Sequence, residues 1–346
     1  MPGLHSWSFA AQGFAWVSVV LFLWIAVRRL LCKSPRSRVI SANMALVVFS
    51  TAYTLLMIEL AFSLLVLQSH GWGASLAAQR WAAKYWFPTI NSYGYRDYEP
   101  VWRDHALFVI GSSFAAGGGV EHLEDRMSGV LAGKLGPHWT VATLANAGWT
   151  STQKYDRLVA FPKTPDIMIV SDFVYDIDDV AARHGLQRPA MLVGPRGVFK
   201  PLIENSSLVN WIYWRYAKED VPESYWTYLQ RAFASPEIFA DYMANLDRFT
   251  DYAKKNKARL YFVIWPSPIR MEQDAIPRKI MAALNERGAN FIDLTPYLIN
   301  RPLSEITVNS SDPHPNARVH AEMAKVIFDR FERDGLEKWF DDIPRQ

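Results

Sequence analysis

The chain has 346 residues, enough for about two domains at roughly 150 residues each. Hydrophobic residues make up 50% of the sequence and charged residues 21%, so the chain is more apolar than an ordinary soluble domain and part of it is expected to contact lipid. The net charge of +3, without a long basic run, excludes the electrostatic signature of a nucleic-acid-binding protein. The single cysteine, Cys32, excludes an internal disulfide framework and a multi-cysteine zinc site.

Two long apolar segments come first. Residues 6–27 carry no ionisable side chain, and a second uncharged stretch starts at residue 39 and stays apolar to residue 67, interrupted only by Glu59. Each is long enough to cross a hydrocarbon core of ~30 Å as a helix. A carboxylate at the position of Glu59 is costly in lipid unless it is paired or protonated, so we expect it to contact the other helix or to reach the interface.

The charges between the two segments predict their orientation. The connecting stretch contains five basic residues and no acidic one: Arg28, Arg29, Lys33, Arg36 and Arg38. The positive-inside rule therefore predicts a two-pass protein of the inner (cytoplasmic) membrane, with the C-terminal domain extracytoplasmic, in the periplasm. A cleaved signal peptide is the alternative, but its positive residues precede the apolar run, whereas here they follow it.

Residues 1–90 are thus expected to form a membrane anchor, with spans at about 6–27 and 39–67 and an interfacial connector. From residue 91 to 346, short apolar runs alternate with amphipathic segments. The predicted strands are 106–110, 140–144, 167–170, 260–265 and 291–294, and the predicted helices are 123–135, 152–160, 238–255, 271–287 and 317–333. This alternation predicts an α/β domain with a parallel sheet covered on both faces, and a site at the carboxyl ends of the strands.

Two candidate segments follow the first two strands. Residues 111–114 read Gly-Ser-Ser-Phe before a glycine run, and a serine at such a strand-to-helix turn can present its hydroxyl as a nucleophile. Residues 146–148 read Asn-Ala-Gly, and the N–H of Gly148 can donate to a developing oxyanion. Alone, each segment is more simply explained as ordinary turn chemistry than as part of a catalytic site.

A third candidate segment lies near the C terminus. His314 stands between two prolines in a stiff loop, and Asp312 is close enough in sequence to orient the ring and stabilise its cation. His320 is expected on the final helix, outside this group. The eight histidines show no metal-ligand spacing, so we expect neither a metal nor a cofactor.

Together these segments resemble the SGNH (GDSL-type) hydrolase superfamily over roughly residues 91–333. The resemblance implies a three-layer α/β/α flavodoxin-like domain with Ser113 as nucleophile, His314 as base and Asp312 as its partner. It further implies that the N–H groups of Ser113 and Gly148 form the oxyanion hole. The lead-in at residues 91–97 is similar to that of membrane-associated members.

Two positions depart from the family pattern. Ser112 stands where the first block has Asp, and Tyr175 stands where the third block has Asn. Loss of one oxyanion donor typically lowers the rate by roughly 100- to 1,000-fold, unless another group, here the Tyr175 hydroxyl, replaces it. These departures keep a catalytically weakened protein among the alternatives.

An aromatic-rich insert at about 178–236 separates the third predicted strand from the next. Its aromatic residues are Trp211, Tyr213, Trp214, Tyr216, Tyr225, Trp226 and Tyr228. Such side chains suit sugar rings or a lipid–water interface, so the insert could bind a glycan or rest on the membrane. An ordinary helical subdomain with an aromatic core is the alternative.

Three functions remain open at this stage. The first is a membrane-anchored serine esterase that removes O-acyl groups, for example acetyl, from a glycan or lipid. The second is an acyltransferase that modifies a surface polysaccharide, beside a multi-span O-acyltransferase as its partner. The third is a binding or assembly protein that retains the fold. The bilayer and a glycan or acyl-ester substrate are the expected partners, and nucleic acid is not.

Overall fold

The computed structural model describes residues 4–70, 73–190, 194–216, 221–268 and 275–335. Its strands are β1 (His105–Gly111), β2 (Trp139–Ala145), β3 (Ile167–Asp172), β4 (Arg259–Ile264), β5 (Phe291–Asp293), β6 (Thr307–Asn309) and β7 (Asp312–Pro315). Its helices are α1 (Leu4–Leu31), α2 (Pro35–Leu65), α3 (Leu76–Tyr85), α4 (Ser113–Ala116), α5 (Met127–Leu135), α6 (Ser151–Ala160), α7 (Asp178–Arg183), α8 (Lys200–Asn205), α9 (Ser207–Tyr216), α10 (Val221–Ala234), α11 (Pro236–Lys255), α12 (Ile276–Glu286), α13 (Thr295–Leu298), α14 (Leu303–Ile306) and α15 (Ala317–Arg333).

The chain divides into two compact units. One unit consists of Met1–Lys84 and Val193–Lys218, and the other of Tyr85–Leu192 and Glu219–Gln346. The middle of the aromatic-rich insert therefore groups with the N-terminal helices, while its two ends belong to the unit that contains the sheet.

The second unit is built on a five-stranded parallel sheet in the order β2-β1-β3-β4-β5. All six residues of β3 and the last six of β1 are buried, as expected when helices cover both faces of a parallel sheet. On β4, the Tyr261 ring lies 5.0 Å from that of Phe331 in α15, and α11 also packs against this strand. The predicted α/β class and all five predicted strands are confirmed.

The strand order explains where a site can form. From β1 the chain passes to β2 on one side of the sheet and then to β3 on the other side of β1. The loops after β1 and β3 thus diverge from a topological switch point, the position where open parallel sheets bind ligands. Ser113 directly follows β1, and Tyr175 follows β3.

Some elements differ from the predictions. The helix predicted at 123–135 is a 3-10 turn at Leu123–Asp125 followed by α5, because Arg126 between them has extended backbone dihedrals. The first residues of the helix predicted at 271–287 lie outside the described residues. Asp312 and His314, which were expected in a stiff loop, belong to β7, which pairs antiparallel with β6.

The first unit contains two long apolar helices joined by a short turn. Ser34 caps α2, with its hydroxyl accepting the Ser37 N–H at 3.1 Å, and Pro35 occupies the first helical position. The hydroxyls of Ser18 and Tyr53 hydrogen-bond to each other at 2.8 Å between α1 and α2. Both helices are long and apolar enough to cross a membrane, and only 6% and 11% of their most apolar windows are buried, unlike core helices of a soluble protein.

Candidate active site

A tight turn after β1 presents Ser113. Ser112 precedes α4 as its N-cap residue, and Ser113, which is partly exposed, is the first residue of that helix. An added Cβ on Gly111 would lie 2.5 Å from the Ala115 Cβ and 2.9 Å from the Ser171 Cβ. Only glycine therefore lets the strand pass this close to the helix and to β3. We call residues 111–119 the serine turn.

Asp312 holds the imidazole of His314. The Asp312 Oδ1 lies 2.5 Å from His314 Nδ1 and also accepts the His314 backbone N–H at 3.1 Å. The Asp312 carboxyl is almost fully buried, at 1% exposure, whereas the His314 side chain is 14% exposed. This contact favours the tautomer with the proton on Nδ1, which leaves Nε2 free to accept a proton.

The serine turn and the Asp312–His314 pair pack against each other. The Phe114 ring lies 5.4 Å from the His314 ring. An added Cβ on Gly118 would lie 2.9 Å from His314 Cδ2, and one on Gly119 would lie 3.0 Å from an Asp312 carboxylate oxygen. Segments about two hundred residues apart in sequence thus meet at one place, although their catalytic roles remain predictions.

Ser113 and His314 are not yet hydrogen-bonded to each other. Among the described residues, the His314 ring nitrogens bond only to Asp312, and the Ser113 hydroxyl has no partner. A serine hydroxyl turns freely about its Cα–Cβ bond, and catalytic hydrogen bonds commonly tighten only when substrate binds. The absence of this hydrogen bond is therefore compatible with the roles predicted for Ser113 and His314.

The register of the sheet brings Gly148 to the same edge as Ser113. Ala145 of β2 lies opposite Gly111 of β1, and both chains leave the sheet immediately afterwards. Gly148 is exposed with a φ of +76°, a backbone conformation that favours glycine. Within the described part of the chain its N–H donates to no other group, so it is available to a ligand.

Tyr175, the residue in the position of the third-block Asn, sits in an aromatic cluster. Its ring makes edge contacts with Phe173 at 4.7 Å and Tyr225 at 4.9 Å, and the Phe173 ring in turn lies 4.4 Å from Phe114. Burial, together with the nearby Asp178 carboxylate, raises the pKa of Tyr175 to about 12. Its hydroxyl therefore remains protonated at neutral pH and can donate a hydrogen bond.

Asp176, the residue after Tyr175, has a structural partner. Its carboxylate forms an ion pair with Lys154, and both side chains are almost completely buried. The Lys154 ammonium also donates to the Ser171 carbonyl at 2.7 Å, and the Tyr242 hydroxyl donates to Asp172 at 2.7 Å. Burial raises the pKa of Asp176 against the attraction of Lys154. This network fixes the end of β3 beside the serine turn. The role of Lys154 was not predicted, because in the sequence it is simply one lysine on an amphipathic helix.

Two buried arginines pack against the C-terminal part of the serine turn. The Arg96 guanidinium, at 1% exposure, donates to the carbonyls of Gly117 and Val120, each at 2.7 Å. Arg126 binds the Asp97 carboxylate at 2.5 Å, and the other oxygen of that carboxylate accepts the Thr143 N–H at 2.7 Å. Arg96 and Asp97 belong to the lead-in segment, residues 91–97, whose resemblance to membrane-associated members predicts no role for either side chain.

His320 lies close by but serves the core. It lies on α15, as predicted, and it is fully buried. Its Nδ1 accepts the Met127 backbone N–H at 3.2 Å. Burial, with smaller contributions from Arg126, His314 and Arg96, lowers the pKa of His320 to about 3. The ring is therefore neutral at physiological pH. Among the described residues, no group of three His, Cys, Asp or Glu side chains could hold a metal ion.

The residues of the aromatic-rich insert separate into two groups. Trp211, Tyr213, Trp214 and Tyr216 lie on α9, in the unit of the N-terminal helices, whereas Tyr225, Trp226 and Tyr228 lie on α10, in the unit of the sheet. The second group is buried, and the Tyr225 hydroxyl donates to Asp178 at 2.6 Å. The second group thus belongs to the core around the candidate site.

No protein-family model and no curated protein matches the chain. Solved structures similar to it include TesA, at 12% identity and a TM-score of 0.42, with 66% of this chain and 98% of that chain covered. A GDSL-like lipase from Bacteroides thetaiotaomicron VPI-5482 has 11% identity and a TM-score of 0.39, with coverages of 67% and 89%. A carbohydrate acetylesterase family member from Sinorhizobium meliloti has 13% identity and a TM-score of 0.36, with coverages of 64% and 95%. Lipases and acetylesterases are thus among the structures that this chain resembles.

Proposed function

We propose that the protein is a membrane-anchored serine esterase that removes O-acyl groups from a glycan or lipid outside the cytoplasm. The observation that supports this proposal is the packing of the Asp312–His314 pair against the serine turn. A nucleophile candidate, a base and an orienting carboxylate lie together at the switch point of the sheet, with an unoccupied glycine N–H at the same sheet edge.

The proposed reaction proceeds through an acyl-serine. His314 Nε2 takes the proton of Ser113 as Oγ attacks the ester carbonyl, and the Asp312 carboxylate stabilises the imidazolium that forms. The N–H groups of Ser113 and Gly148 stabilise the oxyanion, with the protonated Tyr175 hydroxyl as a further donor. His314 then returns the proton to the leaving alcohol. In the second half, water attacks the acyl-serine and His314 again acts as base.

A fluorophosphonate probe applied to the full chain in detergent tests the catalytic proposal. Labelling is expected in the native protein and is expected to be lost in Ser113→Ala and His314→Ala. Two variants serve as matched controls: Ser310→Ala, an exposed serine near the pair, and His138→Ala, which removes the exposed His138–Asp104 pair on the surface. Absence of labelling in folded native protein would favour the binding or assembly role instead.

Acyl transfer is a second candidate, and the aromatic cluster favours it. The Phe114 ring, next to Ser113 in sequence, is almost fully buried and lies 4.4 Å from the Phe173 ring. We infer that these rings give an acyl group on Ser113 an apolar surrounding, which disfavours attack by water. Incubation with a p-nitrophenyl ester, with and without a sugar acceptor, separates the two reactions. Transfer predicts an acylated sugar and faster release of p-nitrophenol with acceptor, whereas hydrolysis predicts free acid at a rate independent of the sugar.

The proposed anchoring and orientation can be tested with the native cysteine. Cys32 lies in the turn between α1 and α2, within the basic stretch that the positive-inside rule assigns to the cytoplasm. A membrane-impermeant maleimide is expected to label Cys32 in inverted vesicles but not in right-side-out vesicles. The reverse pattern is expected for Glu286→Cys in a Cys32→Ser background, since Glu286 is exposed in the unit of the sheet.

A further inference from the structure

Glu59, the single acidic residue of α2, caps another helix of the same unit. Its carboxylate is 4% exposed and accepts the Ser206 hydroxyl at 2.6 Å, the Ser207 N–H at 2.5 Å and the Leu208 N–H at 3.0 Å. These donors are the N-terminus of α9, where the helix dipole is positive. The hydrogen-bond partners of Glu59 among the described residues are therefore in the insert, and not in α1, the other apolar helix.

An arginine completes this junction. The Arg80 guanidinium donates to the Val66 carbonyl, at the end of α2, at 3.1 Å and to the Ser207 hydroxyl at 3.2 Å. The Glu59 carboxylate and the Arg80 guanidinium thus both hydrogen-bond to Ser207 at the start of α9. Hydrogen bonds of this kind to other protein groups make ionised side chains tolerable near the hydrocarbon of a bilayer.

The contacts along α2 and α9 give the depth of the insert. Glu59 precedes the last residue of α2 by six positions, about 9 Å along a helix at 1.5 Å per residue. Further along α9, the Trp211 ring lies 5.6 Å from Phe62 and its Nε1 donates to Gln68 at 3.3 Å. Trp214 lies still further out, 6.1 Å from His70. Thus α9 starts beside Glu59, within the length of α2, and runs toward and past the C-terminal end of α2. Its tryptophans then lie where an interfacial aromatic belt is expected.

The break between α8 and α9 is satisfied within the protein. Ser206 separates the two helices and is buried, with its hydroxyl bound to Glu59. The buried Asn210 side chain donates to the Ile203 carbonyl at 3.0 Å and accepts the Leu76 N–H at 2.8 Å. Non-helical backbone is tolerated at membrane depth only when its polar groups are paired in this way.

The outer side of the same segment is apolar and uncovered. Val198 is 87% exposed, Phe199 68% and Leu202 43%. Lys200 and Glu204 form a one-turn pair on α8, at 3.7 Å, so charged and apolar side chains share this short helix. The end of α2 also presents exposed apolar side chains, such as Leu65 at 79%. In water this surface would be an unusual concentration of exposed Val, Phe and Leu.

We propose that residues 198–216 form an interfacial hairpin that lies in the leaflet where α2 ends, with Val198, Phe199 and Leu202 at the boundary of the acyl chains. The occupant of the apolar side is lipid, because the depth of Glu59 and the exposed apolar end of α2 place both surfaces in the same layer. This inference rests on the proposed membrane anchoring. It adds a third contact with the bilayer, which α1 and α2 alone would not provide.

Fluorescence quenching in nanodiscs tests the proposal on the full chain. Single cysteines replace Val198 or Phe199 in a Cys32→Ser background and carry an environment-sensitive fluorophore. Leu55→Cys, on the exposed side of α2, is the lipid reference, and Glu286→Cys is the aqueous reference. Phosphatidylcholine with a nitroxide near the headgroup end of its acyl chain reports lipid contact, and dissolved iodide reports water contact.

The hairpin positions are expected to lose at least as much fluorescence to the nitroxide lipid as Leu55→Cys does, and much less to iodide than Glu286→Cys does. Quenching by iodide at Val198 and Phe199, with Leu55 quenched by the nitroxide lipid, would overturn the hairpin and leave the anchoring intact. Protection from both quenchers would show a covering protein instead of lipid and would also overturn it. Iodide quenching at Leu55 would instead refute the anchoring itself.

Discussion

Gly118 lies between the serine turn and the imidazole of His314, and its replacement by alanine tests the candidate site directly. The new Cβ would lie 2.9 Å from His314 Cδ2 and 3.1 Å from Nε2. Favourable carbon–carbon contacts need about 3.5–4.0 Å, so ring and turn must separate by roughly 0.6 Å or more. Arg96 binds the turn on both sides of Gly118, and Asp312 holds the ring at 2.5 Å. Either the base or the nucleophile is therefore displaced.

A misplacement of about 1 Å at a reacting group can lower a rate by roughly 100-fold. For Gly118→Ala we expect kcat/KM to fall by about 10- to 100-fold, which corresponds to roughly 1.4–2.7 kcal/mol of transition-state stabilisation. The measurement is hydrolysis of a p-nitrophenyl ester, together with the rate of fluorophosphonate labelling. Thermal unfolding of the same preparation reports whether the fold is intact.

Gly133→Ala is the matched control. Gly133 lies in α5 with no heavy atom within 4 Å of its added Cβ, and alanine favours a helix by up to about 1 kcal/mol over glycine. This control is expected to keep full activity with an equal or slightly higher Tm. If Gly118→Ala keeps the native kcat/KM while folded, the imidazole of His314 is not the catalytic base and the proposed site is wrong.

Three further predictions follow from the same structure. Asp312→Asn is expected to lower kcat by about 1,000- to 10,000-fold, since an amide no longer stabilises the imidazolium of His314, and a loss below tenfold would contradict the triad. Burial lowers the pKa of His320 in the folded protein to about 3, below its ordinary 6.5. Below pH 6.5 the unfolded chain therefore binds a proton that the folded protein does not, and the free energy of unfolding falls as the pH decreases, by about 2 kcal/mol at pH 5. His320→Asn should therefore shrink the fall in Tm between pH 8 and pH 5, and an unchanged fall would show that the ring is not buried and neutral. Glu59→Gln is expected to cost about 1.5–3 kcal/mol and lower Tm in detergent, whereas Glu204→Gln, at an exposed pair, should change it little; equal effects would argue against the cap on α9.

The strands and the candidate residues that follow them were predictable because their signals are local. The strands β1 and β3 are buried on both faces, so they appear in the sequence as short continuous apolar runs. A parallel sheet places the segments after its strands at one edge, so the sequence alone predicts that Ser113 and Gly148 lie close together. The two-residue spacing of Asp312 and His314, with a proline on each side of His314, likewise predicts their contact.

The groups that support the site could not be predicted in this way. The Arg96 guanidinium binds carbonyls 21 and 24 residues further along the chain, and Lys154 finds Asp176 at a separation of 22 residues. Every residue has a backbone carbonyl, so the sequence does not show which carbonyls accept a hydrogen bond from Arg96. The sequence likewise does not distinguish a buried lysine from an exposed one. Only packing selects these partners.

Glu59 shows the same limit most clearly. The sequence alone established an acidic residue inside an apolar segment, a basic stretch between two such segments, and an aromatic insert far along the chain. Its partners in the insert, Ser206 and Leu208, are 147 and 149 residues away. Composition and periodicity indicate whether a segment is suited to lipid, to a protein core or to a turn, because these preferences depend on the local sequence. Which other segment it contacts is decided by the tertiary structure, because hydrogen bonds and close packing depend on positions in space that distant parts of the chain reach only on folding.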